Sequence, residues 1–167
     1  PELERLSKTA EETINLSALL EHDIYYLDKV ETHRSIVCNT RVGSRAPAYA
    51  TASGKVMLAH QSEAQVDEYC VWMAEAARPL TDHTILDPER LRAELVQART
   101  QGYAMDNGEI EVGLICIAAP IYDMNRRVVA AVSVSGPDYR MKADQEFMIR
   151  EVRRTAEDIS RLMGYRG

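Results

Sequence analysis

The run GLICIAAPIYDMNRRVVAAVSVSG, residues 113–136, decides the fold. Its two apolar arms, 113–122 and 127–136, flank the polar stretch Asp123-Met124-Asn125-Arg126. Apolar arms of this length joined by a tight turn predict an antiparallel hairpin. Side chains two apart on a strand share a face. With the turn centred on Met124-Asn125, Cys116 faces Ser133 and Leu114 faces Ser135. One face then carries Leu114, Cys116, Ser133 and Ser135, continued by Ala118, Ala131 and Val129. The other carries Ile115, Ile117, Val128, Val132 and Val134, which is core material. Two hydroxyls and a thiol inside a sheet need partners if buried. A ligand with oxygen atoms supplies them; so do neighbouring backbone groups or water.

Working outward, residues 15–20 and 24–30, separated by Glu21-His22-Asp23, predict a second hairpin, and 35–41 a further strand. Residues 2–14 read as an amphipathic helix with Leu3, Leu6 and Ala10 on one side. Thr51 is placed to cap a helix running to about residue 60, and a second helix spans 63–77 before the breaker Arg78-Pro79. Asp87-Pro88-Glu89 is a strong helix start, and Gly102 a stop. Residues 103–106 suit a short strand before the Asn107-Gly108 turn. A last helix is expected over 143–163, with Met148, Val152, Ala156, Ile159 and Met163 on one face. Helices gather in blocks rather than alternating with strands, so the fold class is α+β, one antiparallel sheet with helices packed against it.

The 167 residues fit one domain, and a net charge of -6 argues against a nucleic-acid-binding surface across it. No apolar stretch approaches membrane-spanning length. Cys38, Cys70 and Cys116 are odd in number and widely spaced, which suggests reduced thiols and a cytoplasmic location. His22, His33, His60 and His83 are scattered without metal-site spacing, so neither metal nor cofactor is expected. The chain opens on a charged helical pattern without Met, as a fragment of a longer protein would.

The junction Thr51-Ala52-Ser53-Gly54-Lys55 turns a loop into a helix with tiny residues in its first turn. Exposed amides at such a start attract anions, making it a candidate carboxylate cradle; it is also what an ordinary capped, closely packed helix looks like. Asp106 is placed either to accept a hydrogen bond from a ligand hydroxyl or to stabilise the following turn. Glu109-Ile110-Glu111 reads as a solvated loop. Catalytic readings are weak. Ser53 and Lys55 are two apart on a helix and do not face each other, and a mid-strand Cys116 is more often a small buried hydrophobe than a nucleophile.

Several segments together resemble the effector-binding domain of the IclR (isocitrate lyase regulator) family of bacterial transcription factors. They are Val42-Gly43-Ser44-Arg45, Pro47, Ala50 through Lys55, Gly102-Tyr103-Ala104, Asn107-Gly108-Glu109, the first arm from Gly113 to Ile121, and Val132 through Pro137. They occur in the family's order and spacing over nearly the whole chain. The resemblance implies a GAF/PAS-like curved antiparallel sheet with a small-molecule pocket between the sheet and a loop–helix segment. It implies no catalysis. By position, the ligand-binding residues it implies are Cys38, Ala46, Ala52, Ser53, Asp106, Leu114, Cys116, Ser133 and Ser135.

On this resemblance, residues 1–14 form a linker helix toward a missing N-terminal winged helix-turn-helix domain, and 15–167 the sensing domain. The implied partners are a small carboxylic acid effector and further copies of the chain, as homodimer or homotetramer. DNA is contacted only through the missing domain. Ala46 stands where the family often has a bulkier aliphatic residue, which implies a roomier pocket and an effector larger than a two- or three-carbon acid; members that bind aromatic acids tend to differ in the Thr51–Lys55 segment, so the resemblance implies an aliphatic, sugar-derived hydroxy- or keto-acid. The rivals are a Cys- or Ser-dependent hydrolase and a ligand-free dimerisation domain.

Overall fold

The computed structural model describes residues 1–34 and 40–167. Its described strands form one curled antiparallel sheet: β1 (Thr13–Leu20), β2 (Asp23–Val30), β3 (Arg45–Pro47), β4 (Ala104–Asn107), β5 (Leu114–Tyr122) and β6 (Val128–Pro137). Their order across the sheet is β3-β2-β1-β6-β5-β4. The helices are α1 (Glu2–Ala10), α2 (Ala52–Leu58), α3 (Glu63–Ala76), α4 (Pro88–Gln101), α5 (Asp138–Ala143) and α6 (Gln145–Leu162), with a 3-10 turn at Ala48–Ala50 before α2.

The local reasons are the expected ones. Thr51 Oγ1 accepts the Gly54 amide at 3.0 Å, which starts α2. Asp87 Oδ1 accepts the Glu89 amide at 3.1 Å, with Pro88 in the first turn of α4, and Gly102 ends that helix at φ 78°. Ser62 and Gln65 form a reciprocal capping box on α3.

The sheet separates two cores. Ile115, Ile117, Val132 and Val134 pack with Leu6 of α1, Met141 of α5 and Met148 and Val152 of α6. On the other face Ala118 and Ala131 pack with Ala52, Val56 and Met57 of α2 and with Leu91 and Leu95 of α4. The small alanines on this second face leave room above the sheet, where α2 crosses it.

Four expectations are corrected. In the late hairpin Cys116 pairs with Ser135, Ala118 with Ser133 and Leu114 with Pro137. The pairing is two places from the expected one because the connection is longer: Asp123 Oδ1 accepts both the Asn125 and the Arg127 amides. An even shift preserves the faces. A bulge between Ile121 and Tyr122 reverses them locally, so Val128 packs into the α2-side core and Val129 turns outward. The first helix stops at Ala10, where Glu11 adopts φ 54° and returns its amide to the Ser7 carbonyl at 2.8 Å.

The last helix is two helices broken at Asp144, and the buried face of α6 includes Thr155 and Ser160, while Met163 is half exposed. The strand expected over 35–41 falls mostly outside the described residues; the described third strand is the short β3, paired to β2.

Candidate functional site

Eight of the nine expected site residues line one cavity of about 210 Å³ between the sheet and α2. Ala46 comes from β3, Ala52 and Ser53 from α2, Asp106 from β4, Leu114 and Cys116 from β5, and Ser133 and Ser135 from β6. Cys38, the ninth, lies outside the described residues.

The polar groups of the cavity follow from strand register. Asp106 pairs with Cys116, Cys116 with Ser135, and Ser135 with Thr13, so four polar residues cross the sheet in one row. Ser135 Oγ donates to Cys116 Sγ at 3.0 Å, which gives one hydroxyl a protein partner. Beside it runs Ser133, paired with Asn15 of β1, which also lines the cavity; Asn15 Oδ1 accepts from Thr40 Oγ1 at 2.8 Å.

Asp106 takes the turn-stabilising role of its two anticipated ones. It is wholly buried; its Oδ1 accepts the Glu109 amide at 2.7 Å and so holds the turn. Its Oδ2 is buried with no hydrogen-bond partner among the described residues. Burial, reinforced by the Glu109 carboxylate, pushes the Asp106 carboxyl up to about 7.

At the start of α2, Thr51 takes the Gly54 amide, while Ala52 and Ser53 occupy first-turn positions for which helix geometry provides no intrahelical acceptor. Gly54 is needed for a different reason. A Cβ there would overlap the Ala48 carbonyl, so the glycine permits the 3-10 turn to lie against α2. The close-packing reading of this glycine is therefore correct.

The expectation of a solvated loop at Glu109 is overturned. Lys55 Nζ, wholly buried, bonds Glu109 Oε2 at 2.8 Å and Oε1 at 3.1 Å, and Glu94 Oε2 at 3.1 Å. Thr84 Oγ1 fixes the Glu109 carbonyl at 2.6 Å and Thr81 Oγ1 the Gly108 carbonyl at 2.6 Å. Lys55 is thus committed to carboxylates rather than to Ser53.

Asn15 escaped sequence reasoning. The signal was present: Thr13, Asn15 and Ser17 alternate along β1, putting three polar side chains on one face of what proves to be an inner strand. The burial of Glu109 had no local signal, because its partner lies far away in sequence.

The chain matches the family described as "Bacterial transcriptional regulator IclR C-terminal" over residues 1–161. It is 37% identical over 166 residues to the HTH-type transcriptional regulator KdgR of Escherichia coli (strain K12), covering 98% of this chain and 62% of that protein. It is similar to the Thermotoga maritima IclR crystal structure, with TM-score 0.91 and 37% identity over 98% of this chain and 66% of that one. It is also similar to an IclR homolog from Microbacterium hydrocarbonoxydans complexed with 4-hydroxybenzoate, with TM-score 0.88 and 28% identity over 98% of this chain and 65% of that one. The chain spans between half and two thirds of the length of these curated relatives, which are regulators and repressors rather than enzymes.

Proposed function

This chain belongs to the IclR family of bacterial transcriptional regulators, as its C-terminal domain, and from that premise we propose that the cavity over the sheet binds a small organic acid. The effector carboxylate lies at the first-turn amides of α2, around Ala52 and Ser53. Its other oxygens reach Asp106, Ser133 and Ser135, with Leu114 and Cys116 as the apolar wall. The observation that carries this reading is convergence: eight residues from five elements, chosen from sequence, line one cavity that includes a buried carboxylate oxygen with no hydrogen-bond partner among the described residues. The 4-hydroxybenzoate complex of the Microbacterium homolog lends the reading support at the level of ligand class, a small carboxylic acid.

In this proposal effector binding favours one arrangement of protomers over another. The effector moves that equilibrium only by the difference in its affinity for the two states. Residues 1–14, including α1, connect to an N-terminal DNA-binding domain, and the working form is a homodimer or homotetramer in the cytoplasm. Symmetric assembly suits paired DNA-reading heads. Leu6 and Ala10 of α1 pack into the α6-side core, and Arg5 reaches Asp158 of α6 at 3.1 Å, so a movement of that side of the sheet is passed to α1.

The test is a thermal-shift series with keto-acids, sugar acids, hydroxybenzoates and their neutral analogues. Ligand at about a hundred times its dissociation constant adds roughly 2.7 kcal/mol of apparent stability. A saturable shift with one acid class and none with its neutral analogue is expected. Failure of every acid to shift the transition at saturating concentration would count for a ligand-free dimerisation domain.

A further inference from the structure

The carboxylates near the cavity outnumber the cations that reach them. Asp106, Glu109 and Glu94 are gathered around a single buried ammonium, that of Lys55. Lys55 satisfies both oxygens of Glu109 and one of Glu94, and no bond from it to Asp106 is formed. Asp106 spends Oδ1 on the Glu109 amide, and Oδ2 is buried with no hydrogen-bond partner among the described residues. An ionised carboxylate accepts only, and burying one with a lone-pair-bearing oxygen unmet is costly. A protonated Oδ2 instead carries a donor, and a donor is what a carboxylate or keto oxygen requires.

Resting on the reading of this cavity as the effector site, we propose that Asp106 meets the effector as a neutral acid. Its Oδ2 hydroxyl donates to a carboxylate or keto oxygen of the ligand. Binding an anionic effector above neutral pH therefore takes up one proton from solvent.

The other charged and titratable groups around Asp106 act in both directions. From α2 comes Lys55, whose charge favours ionisation of Asp106 but whose bonds all go to Glu109 and Glu94. From the loop after β4 come Glu109, whose carboxylate opposes a second negative charge at Asp106, and Glu111 on the cavity lining. From β5 comes the thiol of Cys116, and from β2 the Tyr26 ring. Arg45, on β3, is the lining cation that would favour ionisation, and it is largely exposed and lies near Asp23. Burial raises the Asp106 carboxyl to about 7, close to the pH at which such a donor is useful. An anionic ligand seated beside it raises it further.

The experiment has two arms. In the first, carboxyl carbon NMR follows the unliganded chain from pH 4.5 to 9, with Asp106→Asn identifying the resonance. In the second, calorimetry with pyruvate, D-gluconate and 4-hydroxybenzoate is run from pH 6 to 9, in phosphate and in Tris, whose ionisation enthalpies differ. The proposal expects Asp106 to titrate near neutrality and close to one proton to be taken up per ligand at pH 8. Affinity is then flat at low pH and falls by about tenfold per pH unit above the midpoint.

In Asp106→Asn the affinity that remains no longer varies with pH over this range. A midpoint below pH 5 in the unliganded chain, or binding without proton uptake at pH 8, overturns the proposal. Failure of all three probes to bind alongside a near-neutral midpoint brings down the effector reading, and the proposal with it. That pattern differs from a low midpoint, which overturns the neutral acid alone.

Discussion

Lys55 Nζ lies 2.8 Å from Glu109 Oε2, both side chains almost fully buried, and this contact ties the start of α2 to the loop after β4. Those are two walls of the cavity. In a buried pair each charge stands in for much of the water the other has lost, and removing one partner leaves the other poorly compensated. Glu109→Ala is therefore expected to cost about 3–5 kcal/mol in urea unfolding. Glu94→Gln, at the partly exposed end of the same lysine, should cost under about 1 kcal/mol. Equal effects from the two variants would mean that the Glu109 contact is not the dominant one.

Gly54 is fixed by space rather than by dihedral angle. Gly54→Ala must push Ala48 away from α2, an overpacking cost of about 1–3 kcal/mol. The same displacement moves Ala52 and Ser53 at the cavity, so ligand affinity should fall with stability. A variant as stable as the parent would show that the 3-10 turn yields freely.

The raised Asp106 carboxyl has a signed consequence for stability. Its folded value, about 7, is above the unfolded value of about 3.9. Between these two pH values the unfolded chain has lost the proton and the folded chain keeps it. The contribution of Asp106 is thus fully present below about pH 4 and is lost as pH rises to 7, at up to about 1.4 kcal/mol per pH unit. Chemical denaturation of parent and Asp106→Asn at pH 4, 5.5, 7 and 8 should show the variant gaining relative stability to pH 7 and no more beyond it. A constant difference across the four would contradict the assignment.

Next along the chain from Thr13, Glu12 is buried and gripped by Arg140, Nη2 to Oε2 at 2.8 Å and Nε to Oε1 at 2.5 Å. Gly136 makes room for it: a Cβ there would stand 2.7 Å from the carboxylate. Arg140→Met is expected to destabilise by about 3 kcal/mol or more by leaving the buried carboxylate poorly compensated. Gly136→Ala should also destabilise, by crowding the same carboxylate. Melting curves for each against the parent decide it.

Much of the site was legible because it depends on parity. The face on which Cys116, Ser133 and Ser135 lie survives a two-residue error in register, and the turn chemistry of Asp123 that caused the error could not be read from apolar spacing. Helix starts at Thr51 and Asp87 were legible because a side chain and an amide three or two residues away suffice to make them. What stayed hidden depends on long-range contact. Glu109 looks like any acidic loop residue until Lys55, from another element, is brought to it. The break at Asp144 carries neither glycine nor proline, and the polar face of β1 gained meaning only once β1 was known to lie inside the sheet.

The most direct test of the central claim is where a bound acid sits. The measurement is an amide chemical-shift map of the chain, titrated with whichever acid gives a saturable thermal shift, on the parent and on Ser133→Val/Ser135→Val. The account predicts perturbations concentrated at Ala52, Ser53, Asp106, Cys116, Ser133 and Ser135, and a loss of saturable binding in the double variant. Perturbations centred instead on the separate cavity at Tyr122, Arg153 and Tyr165, unchanged in the double variant, would contradict it.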